Sequence, residues 1–379
     1  MRRLFVALLL LFPCLLLPRA LLGVESSRWS ESEAPLALSE HLHELALAPP
    51  AGLGPTPMGI DPGAEQFVGE WIFGTWMMAA AGHAQLGLAW PEHRAQQAER
   101  AALAIDLAIR EESWAFDTAR WGDSAFSHLD GEGDHDHAVL GYLGVSLGLL
   151  RLLEPDNRHA ALHDRISAFL AARLQATPAL ATFPGEAYPV DHAASLATVA
   201  LHARARGEAP PAWLDASLAD FQSRYLDPRG LLIKSVHPGS GEHRSIARGS
   251  GSALGAWFLG FADPELSARL ARSIRAELAT TRAGVGVVLE YAPAAYEAGH
   301  PCQGDVDSGP LILGASVSAT GFSLASARRL GDEDWQRRLW GTARTFGAYD
   351  GRSFHTGGPL GNAIMLAMLT GGWSEGAEG

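Results

Sequence analysis

Five polar, glycine-containing loops each lead into a long apolar stretch, and they recur along the chain at a nearly constant interval. They are Gly133–His137, Gly185–His192, Arg248–Ser252, Gly304–Pro310 and His355–Pro359. The interval is roughly 50 to 60 residues, about the length of one helical hairpin with its connections. A chain with that period is confined to stacked helical pairs. If each pair supplies one inner and one outer helix, every loop falls at the same end of the molecule. Most of the unusual polar chemistry then gathers at one mouth.

The stretches between the loops carry apolar residues at helical spacing. Inner-helix candidates are Gln66–Leu88, Ala138–Leu153, Ala193–Ala205, Ser252–Phe261, Pro310–Leu330 and Leu360–Leu369. They are rich in Ala, Gly, Leu and Ser, which suits close approach of helix to helix. More charged segments alternate with them: Glu92–Glu112, Asn157–Leu174, Ala212–Tyr225, Pro264–Thr280 and Glu333–Phe346. These read as outer, half-solvated helices. A sixth pair forms if Leu360–Leu369 joins the N-terminal Leu36–Leu47 segment, and six pairs close a ring of two concentric helical layers. The one β signal, Val285–Tyr291, is short and β-branched and fits a small hairpin on the rim.

Charged residues are only 19% of the chain and the formal net charge is −13. Clustered Lys and Arg, which phosphate backbones require, are absent beyond the first residues, so a nucleic-acid partner is excluded. Met1-Arg2-Arg3 followed by the apolar Leu4–Leu17 reads as a secretory signal over residues 1–23. The apolar stretch is short for a membrane span and is interrupted at Pro13. Export to the periplasm or the extracellular space is expected, with membrane attachment only through this segment if it is not cut. Residues 24–63 form an extension with one short helix, and residues 64–379 are expected to form one toroid domain. Once the signal is removed Cys302 is the only cysteine, so no disulfide is expected. His300 is the nearest base should the thiol serve as a nucleophile.

In layout, residues 64–371 resemble the (α/α)6 toroid enzymes of the six-hairpin glycosidase type and, more weakly, the linalool dehydratase/isomerase-like group. The local likenesses are Ala138-Val139-Leu140-Gly141-Tyr142-Leu143-Gly144 entering one helix and Phe183-Pro184-Gly185-Glu186-Ala187-Tyr188-Pro189 preceding the next inner helix. The resemblance implies an all-α, (α/α)6 toroid. It also implies a central cavity open at one end and lined by carboxylates, His, Tyr and Trp.

Asp305-Val306-Asp307-Ser308-Gly309-Pro310 is the most informative hexapeptide. Asp307 or Ser308 suits an N-cap and Pro310 a first helical position. That leaves Asp305 unexplained, and a carboxylate at the mouth of an apolar ring should have a raised pKa. Asp305 or Asp307 is therefore expected to transfer protons, with Asp191 as partner. Asp191 also lies in a first helical turn, where the helix dipole alone would favour it. Glu186 and Tyr188 beside it suit a sugar or polyol pocket, and Glu70 next to Trp71 is a further buried acid. Trp71, Trp76, Trp114 and Trp121 lie in or just after the first hairpin; ring stacking against sugars would use some of them, Trp71 among the expected binding residues, and most suit the core.

Asp134-His135-Asp136-His137 has metal-ligand residue types, but neighbouring residues point apart and the spacing fits no zinc motif. No metal and no cofactor are expected. Asp136 reads as an N-cap, with His137 available as an acid, base or hydrogen-bond donor and His135 as a substrate contact. Arg248 at a helix start could hold an anion or pair with a loop acid. Glu290, Tyr291 and His355 complete the expected binding residues. The reading is an acid/base enzyme acting by hydrolysis or elimination on a small-molecule or glycan substrate. The alternatives are a dehydratase/isomerase for a small alcohol or terpenoid, and a non-catalytic toroid whose loop acids only cap helices.

Overall fold

The structure is a computed structural model in which residues 33–49, 68–129, 135–282 and 285–371 are described. The signal segment, most of the extension and Gly133-Asp134 lie outside the described residues. Six apolar helices form the inner layer: α2 (Val68–Ala89), α5 (Leu140–Leu153), α7 (Pro189–Ala205), α9 (Gly249–Ala262), α12 (Val317–Leu330) and α14 (Gly358–Thr370). Each packs on the next in chain order, and α14 returns to α2, so the ring closes. The outer layer is α1 (Glu33–Leu47), α3 (Arg94–Ala108), α6 (Ala160–Ala176), α8 (Ala212–Tyr225), α10 (Pro264–Glu277) and α13 (Glu333–Phe346). Helix α1 covers α14, α2 and α3, which supplies the sixth pair.

The inner helices are apolar nearly all round and are correspondingly buried, as helices enclosed by two neighbours and an outer layer must be. Glycine allows their close approach. A Cβ at Gly144 of α5 would lie 2.3 Å from Thr198 Cγ2 of α7. Thr198 Oγ1 in turn donates to the Gly141 carbonyl at 2.8 Å, tying the two helices together. The outer helices α10 and α13 are amphipathic and start on designed caps. Asp263 accepts from the Glu265 and Leu266 amides, and Asp332 accepts from the Trp335 amide.

The two ends of the ring differ. Near the C-terminal ends of the inner helices Trp257 Nε1 of α9 donates to Gln85 Oε1 of α2 at 3.2 Å, and Gln85 Nε2 donates to the Ala367 carbonyl of α14 at 2.8 Å. These bonds fill that end. The N-terminal ends face the other way and carry the loops. A two-stranded antiparallel hairpin, β1 (Ala279–Arg282) and β2 (Val285–Val288), sits beside α13, with Ala279 opposite Val288. No helix among the described residues is long and apolar enough to cross a membrane.

Three local expectations change. The expected helix from Pro310 begins instead at Val317, capped by Ser316, whose Oγ accepts from the Ala319 amide. Left-handed backbone at Gly309, Leu313 and Gly314 breaks the intervening segment into turns. Asp307 and Ser308 consequently cap nothing. The expected helix from Ala138 starts at Leu140, with Val139 in the cap position, and Asp136 instead accepts from the Ala181 amide at 2.9 Å, tying two loops together. The single segment Glu92–Glu112 is broken into α3 and the start of α4 (Glu111–Trp121).

Candidate active site

The first turns of the inner helices bring acids from four loops to the mouth. Asp191 projects from the first turn of α7, where Pro189 occupies N1. Its carboxylate is buried. Tyr142 Oη, on the first turn of α5, donates to Asp191 Oδ1 at 2.8 Å, and Thr182 Oγ1 donates to Oδ2 at 2.5 Å. Burial pushes Asp191 up to about 6. The Thr182 and Tyr142 hydrogen bonds oppose that rise, and Asp307 adds to it.

Glu70 lies in the first turn of α2. Burial of its carboxyl is again the first cause, and the charges of Asp307 and Asp191 reinforce it, so Glu70 is pushed up to about 8. Arg120 pulls the other way but is weaker. Glu70, Asp191 and Asp307 thus share one electrostatic site although they come from distant parts of the sequence. Glu186, half-buried, accepts from Tyr188 Oη at 3.0 Å and also contributes to the field at Glu70. Trp71 is half-buried next to Glu70.

An ion-pair group adjoins these acids. Arg248 is buried at the N-cap of α9 and meets three carboxylates: Asp305 at 2.5 Å, Asp307 at 2.9 Å and Glu290 at 3.8 Å. Lys234 Nζ donates to Asp305 at 2.7 Å. Burial alone would raise Asp305, but Arg248, Lys234 and the Ser308 amide hold its carboxyl well below the usual carboxylate range. The expectation of a raised, proton-transferring Asp305 is therefore corrected: it is an ion-pair anchor. Glu290 is fully buried and accepts from the Ser250 amide and hydroxyl, closing the start of α9. Tyr291 is buried and donates to the Gln303 carbonyl at 3.0 Å, bracing the aspartate loop. The pairing of Arg248 with loop acids, anticipated as one of two roles, is the one observed.

Other expected residues sit elsewhere. His355 is exposed and lies 3.0 Å from Asp350; it shares the surroundings of His41 near α1, and none of its described contacts joins it to the acids. Burial pushes the Cys302 thiol up, which counts against a thiolate nucleophile. His137 is fully buried with Nδ1 at 3.0 Å from Asp117 Oδ2, and it joins His128, His135 and Asp123 rather than the carboxylate group. The tetrapeptide around His137 fits no zinc spacing on its own, but the fold brings the upstream Asp123 and His128 to it.

Sequence reasoning missed Tyr142, Thr182 and Lys234. Tyr142 lies within the helix-entry segment 138–144, where an apolar setting hides its role. Lys234 carries a signal that was available: it is the only lysine in the chain. Thr182 has no such signal, because it reaches Asp191 only through the turn closed by the Phe183–Glu186 bridge.

The fold has counterparts among solved structures. An unsaturated glucuronyl hydrolase specific for heparin matches with a TM-score of 0.53 at 12% identity, over 89% of this chain and 95% of that one. An unsaturated glucuronyl hydrolase responsible for the degradation of glycosaminoglycan, from Bacillus sp. GL1, also matches with a TM-score of 0.53, at 15% identity over 90% and 96% of the two chains. At such identities the likeness establishes the architecture, an (α/α)6 toroid. No family model and no curated protein matches the chain.

Proposed function

We propose that this protein is an exported acid/base enzyme acting on a carbohydrate-related substrate, as a hydrolase or a lyase. Glu70 is the general acid and Asp191 the general base or nucleophile. The observation that carries the reading is that two carboxyls at one mouth have different surroundings: burial and neighbouring acids push the pKa of Glu70 up to about 8, while two hydroxyl hydrogen bonds limit the rise of Asp191 to about 6. At neutral pH the first holds its proton and the second is ionised, which is the division of labour that two-carboxyl catalysis needs. Tyr142 and Thr182 fix the orientation of Asp191 and stabilise its charge. Asp307, reaching from the Arg248 anchor, adds negative charge that keeps Glu70 protonated.

Export rests on the N-terminal sequence alone. The carbohydrate class is supported by the rim, where Trp71, Glu186 and Tyr188 offer aromatic faces and an acceptor. It is supported also by the fold shared with the two glucuronyl hydrolases. The test is a screen of the purified protein against uronate-containing and neutral oligosaccharides, followed on any hit by Glu70→Gln and Asp191→Asn. Each substitution is expected to lower kcat by roughly 100- to 10,000-fold with the melting temperature preserved or raised. Full turnover in both variants would overturn the assignment. Loss of water from small alcohols, with no action on glycans, would favour the dehydratase or isomerase reading of the same residues.

A further inference from the structure

Outside the acid pair lies a second polar group built for a different purpose. Helix α4 ends at Gly122, whose left-handed backbone (φ 91°) turns the chain sharply and presents Asp123. Ser124 then caps a 3-10 turn over Ala125–His128, which delivers His128. The chain returns at His135 and reaches His137, which itself adopts left-handed backbone (φ 42°) immediately before α5. Such backbone is costly for a residue with a side chain and is retained where the surroundings demand it. The result is three imidazoles with ring centres 5.1 to 5.8 Å apart around one carboxylate.

These side chains satisfy one another only in part. Asp123 Oδ2 lies 2.8 Å from His128 Nε2 and 3.7 Å from His135 Nε2, and Asp123 Oδ1 lies 4.0 Å from His137 Nε2. His128 Nε2 is paired with Asp123, whereas Nδ1 of buried His128 is without a hydrogen bond. His137 Nε2 is likewise buried without one. Buried polar atoms are nearly always hydrogen-bonded, so this concentration of unpartnered nitrogens calls for a missing partner. On the other side of His137, Asp117 Oδ2 lies 3.0 Å from Nδ1 and both residues are fully buried. With the proton on Nδ1 and donated to Asp117, Nε2 presents a lone pair to the group. Carboxylates hold metal-binding imidazoles in this way. Trp121 closes one side, its ring centre 4.8 Å from those of both His135 and His137.

We propose that Asp123, His128, His135 and His137 bind one divalent cation of the zinc class, with Asp117 positioning His137. Three imidazoles and one carboxylate are a common ligand set for zinc, and tetrahedral bonds of about 2.0–2.2 Å place ligand atoms about 3.3 Å apart. Asp123, His128 and His135 each place one ligand atom within 4.8 Å of the others, and His137 Nε2 approaches the group from the side of the second Asp123 oxygen, at 4.0 Å. His128 and His137 form the buried floor, while Asp123 and His135 are partly exposed and give the ion a way in. The ion would clamp the end of α4 to the start of α5 beside the mouth. The proposal does not rest on the catalytic assignment of Glu70 and Asp191.

The test uses the full chain, stripped with chelator and titrated with zinc chloride, with cobalt(II) as a spectroscopic probe. One equivalent of zinc is expected, together with a cobalt spectrum of tetrahedral intensity and a higher melting temperature. His135→Ala and Asp123→Asn change partly exposed side chains and should fold, as circular dichroism would verify. Each should abolish the cobalt signal. Asp117→Asn should weaken zinc binding by about 10- to 100-fold. Failure of the stripped wild-type chain to take up one equivalent would overturn the proposal. So would undiminished binding by folded His135→Ala and Asp123→Asn, since that places the ion elsewhere.

Discussion

Glu70 and Asp191 show how identical chemistry is differentiated by surroundings. Both are carboxylic acids in the first turn of an inner helix, where the helix dipole would lower a pKa. Burial and neighbouring acids outweigh that effect in both, but Asp191 receives two hydroxyl hydrogen bonds. The rate profile should therefore be a bell in kcat/KM, rising as Asp191 ionises near pH 6 and falling as Glu70 ionises near pH 8. Tyr142→Phe removes a hydrogen bond that stabilises the ionised form of Asp191, so the acidic limb should move to higher pH while the alkaline limb stays. An unmoved acidic limb in that variant would sink the assignment of Asp191 as the base. Asp305 provides the contrast. With both Arg248 and Lys234 on one carboxylate, Asp305→Asn should leave a buried guanidinium short of charge and cost about 1–3 kcal/mol of stability, read by urea unfolding.

At the scale of the element, the alternation of apolar and charged helices was legible because two of the outer segments, Ala212–Tyr225 and Glu333–Phe346, carry their boundaries in plain sequence signals. The structure shows the caps that set two such starts, Asp332 before Glu333 and Asp263 before Pro264. The start of α12 was not legible. Pro310 mimics a helix start, and nothing local reveals that Leu313 adopts left-handed backbone. The metal-ligand group was hidden for a related reason. Its members come from the two sides of a loop, and spacing rules examine only one side at a time. The glycines of α5 could be read as close-packing residues, but their partner could not. Gly144→Ala should press on Thr198 and disturb its bond to the Gly141 carbonyl, costing about 1–3 kcal/mol. Pairing it with Thr198→Ser, which removes the clashing methyl, should recover part of the loss; no recovery would mean that α5 and α7 do not meet at this point.

For the whole molecule, ring closure places every inner N-terminus at one mouth, and that concentrates unusual titrations in one protein. Their signs can be combined. His83, His163 and His192 are buried and neutral, lowered by burial to about 3, about 3 and about 4. The unfolded chain takes up their protons first, so each contributes stability that is present above pH 6.5 and is lost as the pH falls toward these values. Asp305, held low by its ion pairs, likewise loses its contribution as the pH falls below about 3.8. Glu70 and Asp191 act in the opposite sense. Raised by burial, they contribute stability that is complete below their unfolded values and is lost as pH rises, through about 6 for Asp191 and about 8 for Glu70. Between pH 4.5 and 6, three histidines gain against two acids, so stability rises. Above pH 6.5 the histidines of the unfolded chain and Asp191 finish titrating, and from about pH 7 to 8 Glu70 dominates among these groups, so stability falls. Melting temperature should accordingly peak near pH 6.5 and decline on the alkaline side. Glu70→Gln should remove that alkaline decline and leave the acidic one, because the amide has no proton to lose. A variant whose melting curve still falls between pH 6.5 and 8 as steeply as the wild type would show that Glu70 is not held protonated at the mouth. The division of acid and base between Glu70 and Asp191 would then fail with it.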